Sequence, residues 1–422
     1  MPAERSSPIP AALTCLTHAD PRQLQDADGP HLLGSLAAVP DPRAARGRRH
    51  PLVAILGLAA AAVLAGARSI AAIAEWAADA PQPVRAALGA CRDAPDHFAV
   101  PAEATIRRTL SRLDPDALAA AIGAWLANQD RPSPATGSRW RAVAVDGKTL
   151  RGARGAGSDG RPVHLLAAMD HTSRAVLAQR QVGGAPEEVP GVRPLLDGLD
   201  LAGVVVTADA LHTHADTAEF LVAGKHAHYL FCVKANQPLL LARVQRLPWQ
   251  RVPVADRTRD QAHGRIEHRT LKVVTAHHIG FPYAAQVLQV TRKTRNLRTN
   301  TARRWRTMTV YAITSLPFEQ ARPARLADLL RGHWAIEALH HIRDTTFAED
   351  ASQLRTGAGP HVMAALRNLV IGVLCRAGPV NLAVALRRHA RDPRRPWPPR
   401  DQPRMNRTSR QNDGALGDGQ PS

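Results

Sequence analysis

Cysteine is scarce in this chain: four in 422 residues, Cys15, Cys91, Cys232 and Cys375. None forms a C-x-x-C pair and four are too few for a disulfide scaffold, which fits a reducing cytoplasm. The opening M-P-A-E-R-S-S-P-I-P has no apolar run before a small-residue cleavage site, so a secretory signal is not expected. Long hydrophobic runs are missing too. Residues 52–67 are uncharged, but at ~1.5 Å per residue they fall short of a ~30 Å hydrocarbon layer and read as an Ala-rich buried helix. With no membrane span expected, the chain is placed in the cytoplasm. Tyrosine is nearly absent, and Tyr229, Tyr283 and Tyr311 each lie near apolar neighbours, which argues against a tyrosine nucleophile.

Acidic residues are in the minority, 36 against 55 Lys and Arg, for a formal charge of +19. Such an excess points to a polyanionic partner, nucleic acid first, although an Arg-rich composition alone contributes to it. A chain of this length with 45% apolar residues can bury two or three cores.

Residues 1–30 read as a disordered lead-in. From 31 to 128 the signals are helical, giving an all-α N-terminal domain with possible DNA binding; Asp116 is expected to cap a helix over 117–126, and Arg107, Arg108 and Arg112 fall near one face of another. That face is equally an ordinary solvated one. Residues 129–138 carry the Pro, Gly and Ser of a linker. Then A-V-A-V reads as a strand ending at Asp146-Gly147, and 163–169 and 175–182 complete a three-stranded antiparallel meander. A helix over 187–199, a strand ending at Asp209, a helix over 216–222 and a strand over 229–233 follow. That order is expected of an α/β fold with an RNase H-like mixed sheet, in a catalytic domain spanning 139–377. Residues 247–316 read as a β-rich insertion, 326–341 and 362–375 as helices, and 378–422 as a basic, Pro/Arg-rich disordered tail.

Asp146 and Asp209 each close an apolar run, and Glu337 lies in a helix able to pack beside them. Singly, each is more often a turn cap or a solvated acid. Together, three carboxylates from different elements suit Mg²⁺ or Mn²⁺, and two such ions ~3.5–4 Å apart can promote attack on one side of a phosphodiester and stabilise the leaving oxygen on the other. G-K-T at 147–149 lacks the Gly five places earlier that a phosphate-cradling loop needs, so ATP is not expected. His212/His214 and His226/His228 lack a further ligand at a usual interval, so zinc is not expected either.

The words V-A-V-D-G-K-T-L-R-G (143–152), H-L-L-A-A-M-D (164–170), V-V-V-T-A-D-A-L-H-T (204–213), Y-L-F-C-V-K-A-N-Q-P (229–238), Y-A-I-T-S-L (311–316) and H-W-A-I-E-A-L-H-H-I-R-D-T-T-F-A-E-D-A-S-Q-L-R (333–355) resemble successive blocks of DDE-type bacterial insertion-sequence transposases, of the ISAs type. The chain departs from some members after the glutamate, where it has Ala338 and His341-Ile342. The resemblance implies Asp146, Asp209 and Glu337 as catalytic and metal-binding residues with two Mg²⁺ (or Mn²⁺) ions. It also implies double-stranded DNA as partner, in the form of terminal inverted repeats and target DNA, and a homo-oligomer on DNA in the nucleoid. Lys234 and Asn236 match its K-x-N-Q word and are expected to contact DNA or order the site. Lys293, Arg303, Arg304 and Trp305 lie in a stretch, 292–306, with seven basic residues and no acid, read as a turn that follows phosphates while Trp305 stacks on a base. A solvated loop, with Trp305 packed on a neighbouring strand, is the competing reading. The same core could also hydrolyse DNA without joining it, or persist as an inactive DNA-binding remnant.

Overall fold

The computed structural model describes residues 31–46, 48–129, 141–154, 160–262, 265–297, 305–376 and 381–393. The lead-in, most of the linker, Arg303, Arg304 and the end of the tail lie outside them. Among the described residues no helix is long and apolar enough to cross a membrane.

The first region contains helices α1 (Leu32–Ala37), α2 (Leu52–Leu64), α3 (Ile70–Asp79) and α4 (Gln82–Ala87), a short hairpin β1 (Cys91–Ala94) and β2 (His97–Ala99), then α5 (Glu103–Arg112) and α6 (Pro115–Gln129). Its Ala-rich second helix is buried nearly all round, as its uncharged sequence anticipates. Two expectations are corrected here. The hairpin breaks the run of helices, and the cap of α6 is Asp114, whose Oδ1 accepts the N–H groups of Asp116 and Ala117 at 3.0 and 3.1 Å.

The second region is built on one nine-stranded mixed sheet in the order β5-β4-β3-β6-β7-β11-β10-β9-β8. Strands β3 (Ala142–Arg154), β4 (Pro162–Asp170) and β5 (Val176–Val182) form the expected antiparallel meander. Helix α7 (Glu188–Leu196) leads to β6 (Val205–Ala208), and α8 (Ala215–Glu219) to β7 (His228–Val233), both parallel to β3 in direction. Val143 and Val145 in β3 and Val205 and Val206 in β6 are buried, as the apolar runs of central strands require.

After α9 (Pro238–Gln245), strands β8 (Asp256–Ala262), β9 (Arg265–Thr275), β10 (Gln286–Asn296) and β11 (Arg306–Thr314) form an antiparallel meander. β11 pairs with β7, so the expected insertion extends the same sheet. Lys293 therefore sits in a strand, opposite Thr307 and His268, and not in a turn.

Helix α10 (Pro323–Thr345) buries Leu326, Leu329, His333, Ile336, Leu339 and Arg343, a stripe at three- and four-residue spacing. Helix α11 (Gly359–Arg376) is buried over almost its whole length and packs against α2, α6 and β5, making one core of both regions. Close approach of α6 to β5 needs Gly123: a Cβ there would lie 1.9 Å from the Leu177 carbonyl oxygen. The disordered tail expected from 378 is corrected over α12 (Leu382–Ala390), capped by Asn381 and buried through Leu382, Ala385 and Leu386.

Candidate active site

Asp146 lies inside β3, which runs on to Arg154; the expectation that the strand stops there is corrected. The register nevertheless brings the two aspartates together. Val145 pairs with Ala208 across the parallel β3–β6 ladder, so the next residues, Asp146 and Asp209, stand side by side where β6 ends. Strands in a ladder are ~4.8 Å apart. Helix α10 crosses this edge, packing on both β3 and β6, and supplies Glu337 from its solvent side.

Each carboxylate meets a different electrostatic setting. Crowding of protein around the Glu337 carboxyl, with the negative charges of Asp146 and Asp209, raises it above its ordinary range against the pull of Lys234 and Arg292. Burial works against ionisation of Asp209, but Lys234 outweighs it. The Lys234 ammonium donates to both Asp209 oxygens at 2.7 and 3.0 Å, and with the Ala210 N–H holds the acid below its ordinary range. His340, one turn after Glu337, brings Nδ1 to 3.4 Å from Asp146 Oδ2.

Other residues brace these acids. Asn236 donates to the Ala210 carbonyl oxygen at 2.6 Å, fixing the turn that follows Asp209. Lys234 and Asn236 thus both bear on Asp209 and the turn after it. Buried Lys148, two residues after Asp146, donates to both oxygens of Asp344 at 2.6 and 2.7 Å and ties β3 to α10. Glu188 lies against β3 at Gly147, where a Cβ would sit 2.4 Å from its carboxyl carbon. His164 reaches Glu188 at 2.7 Å and His212 at 3.2 Å. Burial opposes the charge on Glu188, yet these two histidines bring its pKa down to about 2. One buried acid thereby links the strand of Asp146 to the turn of Asp209. Thr207 binds His171 at 2.8 Å and His333 at 3.1 Å, joining β6 to α10.

Three carboxylates lie near one another here, and Glu337 is destabilised as an anion by burial and by its two acidic neighbours, a charge pattern that a hard cation relieves. Among the described residues no group of three or more His, Cys, Asp or Glu side chains is gathered tightly enough to hold a metal ion as they stand. Lys234 pairs with Asp209 at 2.7 Å.

The family model described as Transposase DDE domain matches residues 138–372, and one described as DDE_Tnp_1-associated matches residues 33–126. The chain belongs to the DDE transposase family. Its relatives include "Putative transposase YncI" of Escherichia coli O157:H7, 26% identical over 81% of this chain and 87% of that protein. They also include "H repeat-associated putative transposase YhhI" of Escherichia coli strain K12, 28% identical over 55% of this chain and 63% of that one. Among solved structures, a piggyBac transposase synaptic complex with hairpin DNA covers 89% of this chain and 80% of its own at 10% identity and a TM-score of 0.38, too distant to bear on the fold.

The remaining sequence-named residues of the transposase fall elsewhere. Lys293 is exposed in β10. The Trp305 ring lies 4.9 Å from that of His268 and carries the Arg295 guanidinium 5.1 Å from its centre, so it packs on the neighbouring strands. Lys148, Glu188 and His164 were missed by sequence reasoning. For Lys148 and His164 the signal was the strand itself, since polar residues at buried positions of a strand need partners; Glu188 opens helix α7 and gave no such signal.

Proposed function

We propose that this transposase cleaves DNA at the ends of its element and joins the freed end to target DNA, with Asp146, Asp209 and Glu337 as metal ligands. The carrying observation is their placement: two adjacent strand positions supply aspartates whose charges, together with burial, raise Glu337 on the crossing helix. DDE transposases generally use divalent ions. Bound there, two Mg²⁺ or Mn²⁺ would activate the attacking oxygen and stabilise the leaving one.

The chain's own residues hold the acids in place. Lys234 and Asn236 fix the Asp209 turn, Lys148 docks α10 through Asp344, and Glu188 braces both strands from below. In cleavage a water oxygen forms the new P–O bond while the 3′-oxygen leaves and takes up a proton. The resulting 3′-hydroxyl then attacks a target phosphodiester, losing its proton as the target's own 3′-oxygen departs, with no covalent protein–DNA intermediate.

The strand order of β3 to β7, three antiparallel strands followed by two parallel ones linked through helices, supports an RNase H-like catalytic domain over 139–377. On this reading 247–316 is a β-insertion into it, 31–128 is a helical domain, and the chain is of the ISAs type. Its substrates are terminal inverted repeats and target duplex, it works as a homo-oligomer on DNA in the cytoplasm, and it needs no ATP. Labelled element ends incubated with Mg²⁺ and target plasmid test the proposal. Strand-transfer product from the wild-type chain, lost in Asp209→Asn, is expected; cut ends that are never joined would make the protein a nuclease.

A further inference from the structure

A cavity of about 750 Å³ opens in the N-terminal region between residues 43–46 and 49–50, the β1–β2 hairpin and α5. Six arginines line it against a single acid, Asp93, which is engaged by His97. None of the residues of the carboxylate site borders it.

Two of the arginines build the walls. Arg43 donates to Asp41 at 2.9 and 2.8 Å and to the His50 carbonyl oxygen at 2.8 Å, closing the loop on itself. Arg85 donates to the carbonyl oxygens of Ala80 and Phe98 at 2.8 and 3.3 Å. The others are not consumed in this way. Arg46, Arg49 and Arg112 are exposed and make no side-chain hydrogen bond or ion pair among the described residues, and Arg108 touches only the Ala104 carbonyl oxygen, at 3.1 Å. His50 is only 8% exposed, yet its Nδ1 has no hydrogen-bond partner at the cavity wall.

Guanidinium groups gathered around one cleft with so little opposing charge build a positive potential that attracts a polyanion. Guanidinium forks match phosphate oxygens in pairs, which an ammonium cannot do. A buried imidazole nitrogen without a partner is a polar group that a ligand would satisfy.

We propose that this cleft grips the phosphodiester backbone of duplex DNA, with Arg46, Arg49, Arg108 and Arg112 on phosphate oxygens and His50 as a further polar contact. This rests on the reading of the chain as an enzyme acting on DNA, and adds a holding site remote in sequence from the cutting site. Phosphate contacts of this kind position a duplex without reading its bases.

The test is binding of the full chain to a labelled random-sequence duplex, followed by fluorescence anisotropy in chelator across a salt series. Each lost phosphate contact removes about 0.9 from the slope of log K against log salt, so R49Q/R112Q is expected to flatten it by roughly 1.8. R49K/R112K, which keeps the charge, is expected to keep the slope. In the unmodified chain, duplex DNA is expected to protect Arg49 and Arg112 from phenylglyoxal, read by peptide mass, a result that does not depend on a variant folding. An unchanged slope in R49Q/R112Q, absence of protection, or displacement of the duplex by single-stranded RNA as readily as by unlabelled duplex would each overturn the proposal. If Asp209→Asn abolishes cleavage while R49Q/R112Q keeps its slope, the cleft alone fails. A flattened slope together with intact cleavage by Asp209→Asn would sink the carboxylate site alone.

Discussion

Two glutamates, one within helix α10 and one just beyond its end, have opposite characters. Glu349 is fully enclosed, with one oxygen 2.8 Å from Arg343 and the other 2.8 Å from Arg367, and both arginines are buried. Burial opposes its charge, but the two guanidinium groups hold it below the ordinary carboxylate range. Six residues before Arg343, Glu337 faces two acids and is pushed the other way. The first carboxylate is satisfied within the protein and serves the fold; the second site leaves negative charge for something outside to satisfy. Identical residue types thus separate by their partners, and the open cluster is the one that can do chemistry.

The sharpest way to break this contrast is at the open site. Asp146→Asn, Asp209→Asn and Glu337→Gln are each expected to reduce cleavage by several orders of magnitude; Glu337→Gln, which removes the charge its neighbours destabilise, is expected to leave the melting temperature unchanged or raised. Near-normal cutting by any one would remove it from the set. Asp344 and Glu349 are no substitutes, because Lys148 and the two arginines already engage them.

At the closed site the effect should be structural. Glu349→Gln leaves two buried guanidinium groups uncompensated and is expected to cost about 3–5 kcal/mol in denaturant melts. Cleavage per folded molecule should persist. A loss below ~1 kcal/mol would mean that water reaches the cluster.

Lys234→Ala lies between the two cases. The pair with Asp209 is half exposed, so stability should change by no more than about 1 kcal/mol. Cleavage should fall roughly 10–100-fold, as when a residue orienting a metal ligand is lost. Equal losses of activity and stability would contradict a positioning role.

Acid should undo the bracing at Glu188. Its pKa is lowered from 4.5 to about 2, so its contribution is complete above the unfolded value and disappears as pH falls from about 4.5 through 2. Glu188→Gln is expected to flatten the pH dependence of stability in that window; an unchanged profile would remove Glu188 as its source.

The smallest change belongs to Trp305→Ala. Loss of its contacts with His268 and Arg295 should cost on the order of 1 kcal/mol and affect paired and unpaired DNA ends alike. Selective slowing on paired ends would restore the stacking role.

Much of the site was legible along the chain. The β-branched run before Asp209 stops at the acid because the strand does, and the spacing of α10 set Glu337 apart from its buried stripe. The continuation of β3 through G-K-T-L-R-G was not legible, since those residues have little strand character and Lys148 is buried only because Asp344 waits 196 positions away. Polar β8 was missed because it is held by pairing with β9, and α12 because its three buried apolar residues are diluted by arginine.

The sequence by itself determined the local units: strand runs, amphipathic stripes, the acids that end or interrupt them, and the family words around those acids. Only the tertiary structure decided that the β-insertion joins the main sheet, that Lys234 turns to Asp209 rather than to solvent, and that six arginines of the N-terminal region face one cavity. The division has a physical cause. Backbone periodicity is set by neighbours three or four positions apart, whereas strand register, buried ion pairs and clefts depend on surfaces brought together only when the core closes.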